Sequence, residues 1–238
     1  MASESKSFIS PISMANPSVP AAPESVAGCR QDQAAERVGL LEIGIVFGLI
    51  LVAVWTPQGR FNTYVCWTAA FATVVLSLRG RYSAVELGLR RPASGALVTL
   101  AVGAALVALI AVIGSFAKSL GPAQPLPWTR AWQYGLWSLL QQFILQSFIY
   151  VRLESMLAPR RALLCASGLF AVAHLPSPVL TALSFLGALF FCFMFRRYRN
   201  IYPLGVVHAA LGLTIAANLP DSLMHHMRVG LGYLTYHP

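Results

Sequence analysis

The feature that most constrains this chain is a succession of seven apolar stretches, at residues 38–56, 61–78, 94–117, 129–157, 162–175, 178–195 and 201–218. Most approach the ~20 residues with which an α-helix crosses ~30 Å of hydrocarbon. Inside hydrocarbon every backbone N–H and C=O must find its partner within the protein, which leaves helices or a closed barrel. The alternating strands of about ten residues that a barrel needs are absent. The expected fold class is therefore all-α, a polytopic transmembrane helix bundle of about seven spans. Composition agrees: 57% of the residues are hydrophobic and 11% charged, against about 25% charged in soluble domains.

A formal net charge of +9 invites a nucleic-acid reading, but the placement of the charges opposes it. Most of the 17 Lys and Arg residues sit in short loops between apolar stretches: Arg79, Arg81, Arg90 and Arg91, then Arg160 and Arg161, then Arg196, Arg197 and Arg199. If these loops face the cytoplasm, the opposite loops hold only Arg60, Lys118 and Arg130 before the C-terminal tail. This is the positive-inside pattern, and it sets the N-terminus inside. The bilayer, and no nucleic acid, is the expected partner. Trp128 and Trp132 then serve as anchors at the outer interface.

Residues 1–37 mix Ser, Ala and Pro with scattered charges and carry no apolar signal region, so they are expected to form a disordered N-terminal tail. Residues 38–218 form the transmembrane domain. Residues 219–238 form a polar C-terminal tail with Asp221, His225, His226 and Arg228, with room for an eighth short span. Cys29, Cys66, Cys165 and Cys192 show no paired spacing, and the last three are expected as small core residues.

The costly residues point to a site. The fourth stretch carries Ser138, Gln141, Gln142 and Gln146, which at about 100° per residue spread over roughly 140° of one helix face. An amide in hydrocarbon has no water to satisfy it, so this stripe must face protein or a wet cavity. Gln141 lies about 18 Å from the outer end of its span, His174 about 18 Å and His208 about 10 Å from the inner ends of theirs, at 1.5 Å per residue. These depths overlap near the middle of the membrane, so two histidines and the stripe are expected to meet. Singly, each is also what helix–helix hydrogen bonding would produce. Glu42 is expected to snorkel from a span end, and Glu154 to pair with Arg152, Arg160 or Arg161. Two histidines with no carboxylate or thiolate at ligand spacing are a poor metal signal, so no metal or other cofactor is expected.

In order and spacing these residues resemble the CPBP family, the CAAX prenyl endopeptidases and bacteriocin-processing membrane proteins. The family's Glu-Glu-x-x-x-Arg reads here as Gln141-Gln142-Phe143-Ile144-Leu145-Gln146. Its Phe-x-x-x-His is matched by Phe170 to His174, followed by Leu175-Pro176. Its His-x-x-x-Asn or Asp reads His208 to Gly212. The loop Val85–Pro92 is also similar to the one ahead of the family's core, so the resemblance covers about residues 80–218.

The resemblance implies a multi-pass protein of the bacterial plasma membrane that hydrolyses peptide bonds of transmembrane or prenylated peptides. In the family the first Glu and the first His activate water, and the later His and Asn steady the oxyanion. Carried over, Gln141, Gln142, His174 and His208 take the catalytic positions, and Ser138, Gln146 and Phe170 line the substrate side. Gln141 stands where the base would be and Gly212 lacks the second donor. The alternative is a catalytically inactive relative that holds a peptide or partner in the same groove.

Overall fold

The computed structural model describes residues 24–79, 82–117, 121–123, 125 and 127–236, with side chains from residue 33 onward. Expectations for residues 1–23, the Cys29 side chain, Arg81 and Lys118 fall outside the described residues. The described chain is all-α, apart from one isolated antiparallel bridge between Ala123 and Pro220. Its helices are α1 (Glu24–Trp55), α2 (Arg60–Leu78), α3 (Ala96–Ala117), α4 (Trp128–Gln142), a π-helical segment (Phe143–Tyr150), α5 (Val151–Met156), α6 (Pro159–Val172), α7 (Pro178–Tyr198), α8 (Tyr202–Asn218), α9 (Asp221–Met224), a 3₁₀ turn (His225–Met227) and α10 (Leu231–Leu234). Residues 24–37, read from sequence as part of a disordered tail, are helical here.

Four of these are long and apolar enough to cross a membrane: 33–55, 60–78, 96–117 and 178–198, with α8 a shorter apolar helix. Large side chains on α2 point outward, with Trp67 71% and Phe71 72% exposed. A water-soluble monomer rarely shows so much apolar surface; lipid accounts for it. Cys66 and Cys165 also face outward, contrary to the expectation for core cysteines, and only Cys192 of the described three is buried.

Helix α8 packs between α3 and α4, and α6 packs on α7. Between membrane helices there is little hydrophobic drive, so close packing of small residues does the work. A methyl added at Gly103 of α3 would come within 2.4 Å of Val207, and one at Gly114 within 2.5 Å of Asn218. On the opposite side of α8, a methyl at Gly205 would come within 2.8 Å of Leu139 Cδ1 and 3.2 Å of its Cα. Because a backbone atom is involved, Gly205→Ala is expected to push α4 from α8 and cost about 1–3 kcal/mol. A lowered unfolding midpoint in detergent checks this; an unchanged midpoint contradicts it.

Prolines open the later helices. Pro159, Pro178 and Pro203 lie in the first turns of α6, α7 and α8, where a missing N–H costs nothing. Arg199 closes α7 in the left-handed conformation. Below it the loop 82–95 is stitched to the bundle. Asn200 Nδ2 donates to Pro92 O (2.6 Å) and Ser94 O (2.9 Å), and Ser147 Oγ donates to Leu87 O (2.7 Å). At Gly88, which has positive φ, an added methyl would meet Phe195 at 2.5 Å, so only glycine lets the loop lie this close.

Two carboxylates depart from expectation. Glu42 does not snorkel: its carboxylate accepts from Arg152 Nε at 2.7 Å. Arg152 is 1% exposed, donates also to Phe148 O and Leu76 O, and lies 3.9 Å over the Phe148 ring. A buried guanidinium needs all its donors met, and α1, α2 and the π segment supply the acceptors. With Arg152 so committed, Glu154 pairs with Arg199 and accepts from Tyr150, rather than pairing with Arg152, Arg160 or Arg161.

The C-terminal segment is ordered against the rest. Gly230 N–H donates to Leu175 O at 2.7 Å, and Asp221 N–H to Pro122 O at 2.9 Å. The Asp221 carboxylate accepts from the Tyr236 hydroxyl and from His226 N–H. Burial disfavours its charge, but these bonds outweigh burial and hold its pKa below the ordinary 3.8. A depressed carboxylate stabilises the fold above its unfolded pKa and ceases to as pH falls through the folded value. Amide exchange in residues 221–236 is therefore expected to rise below about pH 4, and Asp221→Asn to bring that looseness to neutral pH. Exchange that does not change with pH would contradict this.

Candidate functional site

The site is built from one face of α4 and its π extension. Tyr134, Ser138, Gln142 and Gln146 follow one another at steps of four. In an α-helix each such step drifts by about 40°. The π turn, closed by i→i+5 bonds such as Val151 N–H to Gln146 O, holds more residues per turn and takes up that drift. Ser138, Gln142 and Gln146 are all buried. Gln141, one residue off, is half-buried and makes no hydrogen bond among the described residues.

The stripe connects to His208 of α8. Gln146 Nε2 donates to Gln142 Oε1 at 3.3 Å, and Gln142 Nε2 pairs with His208 Nδ1 at 3.1 Å. An amide NH₂ only donates. Within this chain of bonds His208 Nδ1 accepts, so its proton sits on Nε2. Below Gln146 the buried Cys192 thiol adjoins Gln146 and Ser167.

His174 lies in the turn just past the end of α6. Its Nδ1 lies 2.7 Å from Phe170 O. A carbonyl only accepts, so Nδ1 carries a proton, and in the neutral ring Nε2 keeps a free lone pair. Phe170 ties the two histidines together: its ring centroid is 4.8 Å from that of His174 and 5.9 Å from that of His208. Phe191 also packs on His208, with ring centroids 5.4 Å apart. The two imidazoles therefore share an aromatic neighbour and hold opposite tautomers, an acceptor nitrogen on one and a donor nitrogen on the other.

The structure brings together Gln142, Gln146 and His208 by hydrogen bonds, and Phe170, His174 and His208 by ring contacts. It gives the Gln141 side chain no hydrogen bond among the described residues, and leaves Ser138 Oγ beside Tyr134 without one of good geometry. Tyr134 was missed at the sequence level; its place four residues before Ser138 is the signal that would have found it. No group of three or more His, Cys, Asp or Glu residues able to hold a metal occurs among the described residues.

Comparison with known proteins bears on this same stretch. Residues 124–214 match the family model described as Rce1-like, type II CAAX prenyl endopeptidase. The matched stretch contains every residue of the stripe, both histidines and Gly212. The resemblance to the CPBP family noted in the sequence is thus borne out over residues 124–214. No curated protein matches the chain.

Proposed function

We propose that this chain is an intramembrane endopeptidase in which a neutral histidine replaces the missing carboxylate base. The observation that carries the reading is how the two Nδ1 atoms are bonded, His174 to the Phe170 carbonyl and His208 to the Gln142 amide, which sets opposite tautomers in the neutral rings. His174 Nε2 takes a proton from water as the water oxygen bonds to the scissile carbonyl carbon. The resulting oxyanion accepts a hydrogen bond from His208 Nε2–H. Collapse breaks the C–N bond, and His174 returns its proton to the departing amine. Histidine is a workable base near pH 7, and fixed donors stabilise charge that develops in the transition state.

Gln142 and Gln146 act through His208 by fixing its tautomer. Gln141, with no bond of its own, orients the water, and Phe170 with Ser138 lines the substrate side. The substrate is a transmembrane or prenylated peptide. The arginines of the inner loops orient the protein with its N-terminus in the cytoplasm of a bacterial cell.

A second reading is a non-catalytic peptide-holding protein, favoured by the absence of any carboxylate from the stripe. Purified protein in liposomes, incubated with a prenylated CAAX-type peptide and with transmembrane peptides, separates the two by mass spectrometry. Cleavage that is lost in His208→Ala supports the endopeptidase. Peptide that is bound by wild type but recovered intact supports the holding role.

A further inference from the structure

Helix α8 presents Gly205, His208 and Gly212 to α4, at i, i+3 and i+7 on one face. Gly205 allows close approach of the two helices. Gly212 does something different. A methyl added there would lie 1.9 Å from the Tyr134 hydroxyl oxygen and 2.6 Å from its Cζ. The space where a side chain of residue 212 would begin is thus filled by a phenol from the neighbouring helix. One helical turn is 5.4 Å, so the hydroxyl and the His208 ring come from adjacent rungs of the same ladder.

The hydroxyl lies beside Ser138, one turn along α4, whose buried Oγ has no hydrogen bond of good geometry to any described residue. Tyr134 and His208 both lie at the contact of α4 with α8, one helical turn apart along α8. An oxyanion is best held by two donors, and the histidine supplies one. The side chain missing at 212 is replaced in space by a phenol that carries a donor.

We propose that the Tyr134 O–H is the second oxyanion donor, entering from α4 through the notch that Gly212 leaves in α8. It is a catalytic residue that touches the reacting oxygen, and the inference rests on the hydrolase reading above. A purely structural role, plugging the notch, would be served equally by phenylalanine.

The test uses that difference. Wild type, Tyr134→Phe and His208→Ala in liposomes are titrated with a prenylated peptide phosphinate, whose tetrahedral anionic centre resembles the intermediate. The parent peptide amide is titrated in parallel. Wild type is expected to prefer the phosphinate. Tyr134→Phe is expected to lose that preference by about 10²-fold, with amide binding and unfolding midpoint unchanged, and to lower kcat by a similar factor at constant KM. If the preference falls in His208→Ala but survives intact in Tyr134→Phe, the Tyr134 assignment is overturned and the hydrolase reading stands. If wild type shows neither preference nor cleavage, the hydrolase reading falls and this assignment falls with it.

Discussion

Replacing His174 by alanine is expected to lower peptide cleavage by about 10²–10⁴-fold, the usual contribution of a positioned base. The loss should fall on kcat, because the lone pair on Nε2 acts only once water begins to attack. Stability should change little by comparison. The side chain sits past the end of α6, in a turn, and its one hydrogen bond is to the Phe170 carbonyl four residues back. Equal turnover by His174→Ala would mean that another group does the chemistry.

The largest structural effect is expected at Arg152. Truncation to alanine strips the partner from Glu42 and leaves the carbonyls of Phe148 and Leu76 without this donor. Breaking a buried ion pair from one side typically costs about 3–5 kcal/mol, because the charge left behind has no compensation. The double replacement Arg152→Met with Glu42→Met removes both charges and should recover much of that loss. Unfolding midpoints of the two single variants and the double, taken as a cycle, measure the coupling. Additive effects would show that the pair contributes nothing beyond the separate side chains. Because these residues join α1 and α2 to the helix that carries the stripe, the single variants should also loosen the site.

Much of this was legible in the sequence, for a physical reason. Hydrocarbon makes polar residues expensive, so Gln141, Gln142, Gln146, His174 and His208 stood out, and depth counting at 1.5 Å per residue put Gln141, His174 and His208 at overlapping depths. Four things were hidden. Gln141 and Gln142 are adjacent, and a 100° rotation does not say which of two neighbours points into the bundle; packing against α8 decides for Gln142. The π segment after Gln142 shifts the helical phase, and no residue in FILQSFIY announces it. The Glu42–Arg152 bond joins residues 110 positions apart, and sequence spacing carries no information on such pairings. Tyr134 was concealed differently, since an aromatic near a span end reads as an interfacial anchor until its hydroxyl is seen filling the notch at Gly212.

The central claim is that two neutral imidazoles are held in opposite tautomers, His174 with a free Nε2 and His208 with a protonated one. Nitrogen NMR of ¹⁵N-histidine-labelled protein in lipid measures this without any substrate, because protonated and lone-pair ring nitrogens resonate far apart. Near pH 7 the signals that disappear in His174→Ala are expected to show Nδ1–H with a bare Nε2. Those that disappear in His208→Ala are expected to show Nε2–H with a bare Nδ1. Finding both rings in the same tautomer, or either doubly protonated at that pH, would contradict the claim.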